Sequence, residues 1–158
     1  MSPLSQSRLL ANRIIRTFTG PMWHGPSLAE VLGGVTHEQA TRRPAHSAHT
    51  IWELVLHIIT WVDVPHERLG GVARKDVRTD EDWPTPPSAS ANAWLASVER
   101  LEERHRALAE TVRSLRDEQL DEKVVGHDYT IREMLHGVVE HGTYHGGQIA
   151  LLRKLGGV

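Results

Sequence analysis

Residues 130–155, TIREMLHGVVEHGTYHGGQIALLRKL, carry the clearest periodic signal in the chain. Met134, Val138, Ile149 and Leu152 fall on one stripe at helical spacing, which predicts an amphipathic helix. Thr130 and Glu133 form a capping-box pair at its start, and Gly156-Gly157 ends it near Leu155. His141 and His145 are four residues apart and therefore stack on one face. At about 100° per residue both fall inside the apolar stripe, so both point into the protein rather than into solvent. A helix of this length with one apolar stripe must bury that stripe against another element, and the rest of the chain decides which.

Working outward, a second long helix starts at Thr50, with Glu53 as its reciprocal cap, and runs to about Leu69, where Gly70-Gly71 ends it. His57 lies one turn from Leu54 and one turn from Trp61, also on an inward stripe. A third helix spans roughly Ala89 to Leu115, with Trp94, Val98, Leu101, Leu108, Val112 and Leu115 in helical register. A first helix, started by Ser2-Pro3, carries Leu10, Ile14 and Phe18 and stops at Gly20-Pro21. Between it and the second lies a punctuated stretch, Trp23 to Pro44, with capping-box pairs at Ser27/Glu30 and Thr36/Gln39 for two short helical turns. Residues 72–88, VARKDVRTDEDWPTPPS, are charged and proline-rich and read as a crossover loop between the second and third helices. No strand alternation or internal repeat stands out. The expectation is an all-α four-helix bundle with one long crossover.

The chain has 158 residues, the size of one domain, so a single domain over 1–158 is expected. Hydrophobic residues are 39% and charged ones 24%, a globular rather than disordered balance. Eighteen basic against 20 acidic residues, a formal charge of −2, argues against a dedicated nucleic-acid binder, which carries a basic stripe. No apolar run is long enough to span a membrane, and MSPLSQSRLL lacks a signal-peptide apolar region, so the expected compartment is the cytoplasm. The chain has no cysteine, which excludes disulfides, thiolate metal ligands and a cysteine nucleophile. Any thiol chemistry needs a thiol from outside.

Eleven histidines in this chain direct attention to metal-ligand spacing. His57, His141 and His145 aim three imidazoles at one core, a costly arrangement unless each finds a partner. A divalent ion satisfies all three, and three protein ligands with open positions are the pattern of a catalytic metal site. The spacing leaves open whether His57 meets the pair, and each ring can instead be read as a hydrogen-bonded core histidine.

The segments HSAHTIWELVLHIITW (46–61) and EHGTYHGGQIALLRK (140–154) resemble the two motif regions of the DinB/YfiT-like superfamily of metalloenzymes. The stretch TGPMWHGPSLAEVLGGVTHEQA (19–40) is similar to one branch of it. The resemblance covers essentially the whole chain and is most specific in the helix-four motif ending in Gly147-Gln148-Ile149. It implies an up-down-down-up four-helix bundle, often dimeric, with a divalent metal, zinc or nickel, held by one histidine of the second helix and two of the fourth. The matching positions are His57, His141 and His145. It also implies small-molecule chemistry, since characterised relatives include low-molecular-weight-thiol S-transferases and a thiol-dependent isomerase. Nothing in it points to DNA contact.

Other residues carry weaker signals. Glu102 with His105 and Glu133 with His136 have di-iron spacing, but the first helix supplies no acidic residue, so a di-iron site is rejected. His105 lies on the inward stripe of the third helix and reads as a core histidine, with a role behind the metal ligands as the second reading. Glu53 can orient His57 or serve only as the cap of Thr50. Gln148, one turn after His145, can bond a ligand histidine or the interior. Gly142, Gly146 and Gly147 each weaken a helix by roughly 1 kcal/mol and suggest close approach of a neighbouring helix or a substrate. Trp52, Trp61 and Tyr144 read as core or dimer-interface residues, Trp23 and His24 as loop residues that could close a site, and Glu99 to Arg106 as a solvated face. Five tryptophans suggest a homodimer. The functional readings are a metal-dependent enzyme acting on a small molecule with a recruited thiol or water, a non-catalytic metal- or ligand-binding bundle, and a purely structural dimer.

Overall fold

In the computed structural model, which describes residues 5–44 and 49–156, the chain is all-helical. Among these residues seven α-helices run in the order α1 (Gln6–Thr19), α2 (Leu28–Leu32), α3 (His37–Thr41), α4 (Ile51–Leu69), α5 (Thr79–Asp82), α6 (Ala91–Arg113) and α7 (Ile131–Leu155). A 3₁₀ turn at Asp117–Asp121 precedes α7, and among the described residues there is no β-strand. Among the described residues no helix is long and apolar enough to cross a membrane.

The ends of these helices are set by local chemistry. At α2, α3, α4 and α7 the capping box forms in both directions, through Ser27/Glu30, Thr36/Gln39, Thr50/Glu53 and Thr130/Glu133. The expected Ser2-Pro3 start lies outside the described residues; α1 begins at Gln6, capped by Ser5. Asp117 strengthens that end by accepting from the backbone N–H groups of Gln6 (2.8 Å) and Ser7 (2.9 Å), a negative charge at the positive end of the helix. The third long helix is slightly shorter than its stripe suggested, starting at Ala91 behind the Ser90 cap and ending at Arg113.

The four long helices bury their stripes together. α1 and α4 each pack against both α6 and α7. Ile14, Ile58, Leu101, Leu108 and Ile149 are buried at the centre, each worth roughly 1.5–3 kcal/mol relative to exposure. Trp52 and Trp94 meet edge to face at 5.4 Å and keep their indole N–H groups bonded, to Ser97 Oγ (3.0 Å) and the Val35 carbonyl (2.7 Å). The α7 helix comes close to α1 at Gly142, where a Cβ would lie 2.7 Å from Thr17 Cγ2. Close approach therefore explains Gly142. At Gly146 a Cβ would make only ordinary contact with Leu28, and at Gly147 it would meet nothing.

The segment after α4 is not a plain loop. Gly71 adopts φ +84°, a conformation open to glycine, and reverses the chain. The chain then lies back along α4, its carbonyls at Arg74 and Lys75 taken by Arg68. Helix α5 comes next and brings Asp82 and Trp83 over the middle of α4, where Thr60 Oγ1 holds the Glu81 carbonyl at 2.9 Å. That short helix within the expected crossover loop positions part of the site.

Candidate metal centre

His57 projects from α4, and His141 and His145 from successive turns of α7. The structure brings the three together: His141 Nε2 lies 3.0 Å from His57 Nε2 and 3.1 Å from His145 Nε2. Two imidazoles binding one zinc tetrahedrally at roughly 2.0–2.1 Å place their nitrogens about 3.3 Å apart. The observed separations are within a few tenths of an ångström of that spacing. His57 and His145 are buried and His141 is half-buried.

The outer ring nitrogens decide what the inner ones can do. His57 Nδ1 faces two oxygens of Asp82, the backbone carbonyl at 2.6 Å and Oδ1 at 3.1 Å. Both accept, so Nδ1 carries the proton and Nε2 keeps its lone pair. His145 Nδ1 donates to Gln148 Oε1 at 2.6 Å, and the Gln148 amide N–H in turn donates to the Tyr144 hydroxyl at 3.2 Å. The His145 Nε2 lone pair therefore also points inward. Burial lowers the pKa of all three rings, partly offset at His57 by Asp82 and at His145 by Gln148. His141 is pushed down to about 3, by burial first and then by its two histidine neighbours. The lone pairs of His57 and His145 both face His141 Nε2, which carries at most one proton to share between them, whereas a divalent cation can take all three nitrogens at once.

Aromatic rings fix His57 from the side. Trp83 stacks on it at 3.9 Å with planes 4° apart, and His49 covers the other face of Trp83 at 3.5 Å. Trp61 donates its indole N–H to Asp82 Oδ1 at 2.6 Å, so one carboxylate ties α5, α4 and the histidine together. Periodicity does not single out Asp82 or Trp83, and the only sequence signal for them is an acidic-aromatic cluster, Asp80 to Trp83, inside the crossover. Trp61, expected from its sequence position as a core or interface residue, is instead a wall of a cleft of about 450 Å³ that reaches His141.

The remaining candidates lie elsewhere. Glu53 serves the Thr50 cap and pairs with Arg43 and His49, so the carboxylate behind His57 is Asp82, not Glu53. His105 is completely buried in the core beside Phe18, with Nδ1 on the Leu101 carbonyl at 2.8 Å. Among the described residues its Nε2 has no hydrogen-bond partner, so its core role is only half satisfied. Glu102 pairs with Arg106 and Glu133 with Thr130, and neither Glu-x-x-His pair forms a site. Trp23 and His24 line a separate cleft with Arg13, Arg16 and Tyr144. Four of the five tryptophans are engaged within the chain and only Trp23 is fully exposed, so tryptophan content does not require a partner subunit.

Residues 23–149, most of the chain and all three histidines, match the model of the family described as the DinB superfamily. No curated protein and no solved structure matches the chain.

Proposed function

The chain belongs to the DinB superfamily, and from that premise we propose that it is a metal-dependent enzyme acting on a small molecule at the three-histidine site. His57, His141 and His145 would hold one divalent ion, zinc or nickel. The observation that carries this reading is the convergence of imidazole Nε2 atoms whose outer Nδ1 protons, on His57 and His145, are already committed to Asp82 and Gln148. Three neutral ligands leave most of the ion's charge uncompensated, so such an ion eases loss of a proton from a bound water or thiol. With no cysteine in the chain, a thiol nucleophile would have to be a small cellular thiol, giving S-transfer, and water in its place would give hydrolysis.

The chain's own groups then have defined tasks. Asp82 and Gln148 hold the His57 and His145 rings and their tautomers, Trp83 blocks rotation of His57, and the apolar cleft beside His141 limits water near the reacting end. The reading includes one domain with the helices in up-down-down-up order. The 21-residue connection between α4 and α6 is long enough to return along the bundle and make those two neighbours parallel. It also includes a homodimer, supported by the exposed Trp23 and Tyr144 and tested by light scattering against the monomer's 17.7 kDa.

The test is metal loading followed by elemental analysis, in parent and single His→Ala variants, with a screen of thiol-conjugation and hydrolysis substrates. About one ion per chain in the parent, lost in each variant, is expected. A parent that retains no ion after loading overturns the reading. Tight binding without turnover of any substrate leaves the non-catalytic binding bundle instead.

A further inference from the structure

The cleft beside His141 runs between α4 and α7. Trp61 and Pro65 form one wall and Met134 and Val138 the other. Its polar lining groups are His141, Glu133 and Arg68 with Tyr129, whose hydroxyl Arg68 Nη1 holds at 2.8 Å. Arg68 is eleven residues after His57 on α4, three turns along the same face, or about 16 Å of helix.

Arg68 is a buried cation, with only 8% of its surface exposed. Its contacts are all to neutral oxygens: Nε to the Arg74 carbonyl (3.0 Å), Nη1 to the Tyr129 hydroxyl (2.8 Å) and Nη2, at the limit of bonding, to the Lys75 carbonyl (3.5 Å). The nearby carboxylates are engaged elsewhere. Glu67 and Glu81 both pair with Arg74. Glu133, which also lines the cleft, is held by the Thr130 N–H (2.6 Å) and hydroxyl (2.9 Å) at the start of α7. Among the described residues no carboxylate forms an ion pair with Arg68. The C-terminal end of α4 offsets only about half a charge. A buried guanidinium without a counter-ion is costly, and an arriving carboxylate removes that cost.

We propose that this cleft binds a small organic carboxylate. The carboxylate sits on Arg68 and Tyr129, an apolar stem lies along Trp61, Pro65, Met134 and Val138, and the other end of the molecule reaches His141. The proposal deepens the metal-enzyme reading, on which it rests only for what happens at the His141 end. A carboxylate on a guanidinium makes charge-assisted, often bidentate bonds, which an alcohol of the same length does not.

The experiment titrates the chain, metal-free and zinc-loaded, with 3-phenylpropionate and 5-phenylpentanoate and with the matched alcohols, by calorimetry. At least one acid is expected to bind the metal-free chain about tenfold more tightly than its alcohol, the factor that 1.4 kcal/mol provides. Arg68→Gln, verified as folded by circular dichroism, brings the acid to the alcohol's affinity and leaves the alcohol's unchanged. Equal affinities of acid and alcohol in the parent overturn the proposal, as does an acid advantage that survives in Arg68→Gln. If Arg68 only staples the crossover carbonyls, the variant loses stability but the parent shows no acid preference, which counts against the proposal. Where Arg68→Gln does not fold, the parent's Arg68 Nε–H resonance decides. A shift with acid and none with alcohol supports binding there, and no shift with either overturns it. Zinc uptake is read separately: acid preference without zinc uptake refutes only the metal reading, and zinc uptake without acid preference refutes only this one.

Discussion

Asp82→Asn isolates one charge at the site. The asparagine keeps the backbone carbonyl that receives the His57 Nδ1 proton at 2.6 Å, and it keeps a side-chain oxygen for the Trp61 indole. The ring's aim and tautomer therefore persist, and what disappears is a negative charge 3.1 Å from Nδ1. A full unit charge on the ring at that distance interacts by about 1.3 kcal/mol in a water-like medium and about 5 kcal/mol at an effective dielectric of about 20. A ring that holds an ion takes only part of a unit charge, and the Asp82 side chain is about a quarter exposed. The expected loss is thus about 1–3 kcal/mol, which corresponds to a roughly ten- to hundredfold fall in zinc affinity. Competition against a chromophoric chelator near neutral pH measures it, with tryptophan fluorescence confirming that Trp61 and Trp83 stay in place. Zinc affinity equal to the parent's would refute the argument that Asp82 strengthens His57 as a ligand.

Three further outcomes are expected. His145→Ala should stay helical by circular dichroism, because the apolar stripes carry the bundle. Zinc should no longer raise its melting temperature, whereas a hundredfold excess over the dissociation constant stabilises the parent by about 2.7 kcal/mol. His105, completely buried, has its pKa lowered from 6.5 to about 4, by burial against a smaller opposing bond to Leu101. Below pH 6.5 the unfolded chain takes up this proton and the folded chain does not, so the stability this group contributes is complete above 6.5 and lost as pH falls toward 4, by about 3 kcal/mol. Urea unfolding across that window should show a flatter pH slope in His105→Leu than in the parent, and identical slopes would refute it. Gly142→Ala should lower the melting temperature, because its Cβ meets Thr17, whose hydroxyl is tied to the Arg13 carbonyl at 3.0 Å. Gly147→Ala, with nothing near its Cβ, should raise stability by roughly 1 kcal/mol. Calorimetry of the two variants checks both signs, and a Gly142→Ala protein as stable as the parent would show that the crossing with α1 tolerates a methyl group.

Local periodicity made the helices and the inward histidines legible in the sequence. The pairs Ser27/Glu30, Thr36/Gln39, Thr50/Glu53 and Thr130/Glu133 all sit at helix starts as their spacing required. The angular position of His141 and His145 within the stripe of α7 placed both rings inward, where they meet His57. The groups behind the rings were less legible. Gln148 was visible as one option because it lies one turn from His145. Asp82 was not, because it reaches His57 from a crossover whose path depends on Gly71, Arg68 and Thr60 rather than on any period. Glu53 lies one turn from His57 and by spacing alone suits that role, but at the first turn of α4 its carboxylate is already used by the backbone of Thr50. Arg68 did leave a signal. It continues the face of His57, Trp61 and Pro65 at helical spacing, and a charged residue on an inward stripe calls for a partner.

The crossover between α4 and α6 therefore does two jobs with one backbone. Its first residues give the Arg74 and Lys75 carbonyls to Arg68 at one end of the cleft, and its later ones give Asp82 and Trp83 to His57 at the other. The three histidines themselves stand on two long helices whose relative position is set by buried apolar side chains. Changes in the crossover should consequently alter how firmly His57 is held and which ligands the cleft accepts, while leaving the three rings close together. Changes at the α1–α7 crossing, where Gly142 adjoins His141, should instead move the rings themselves.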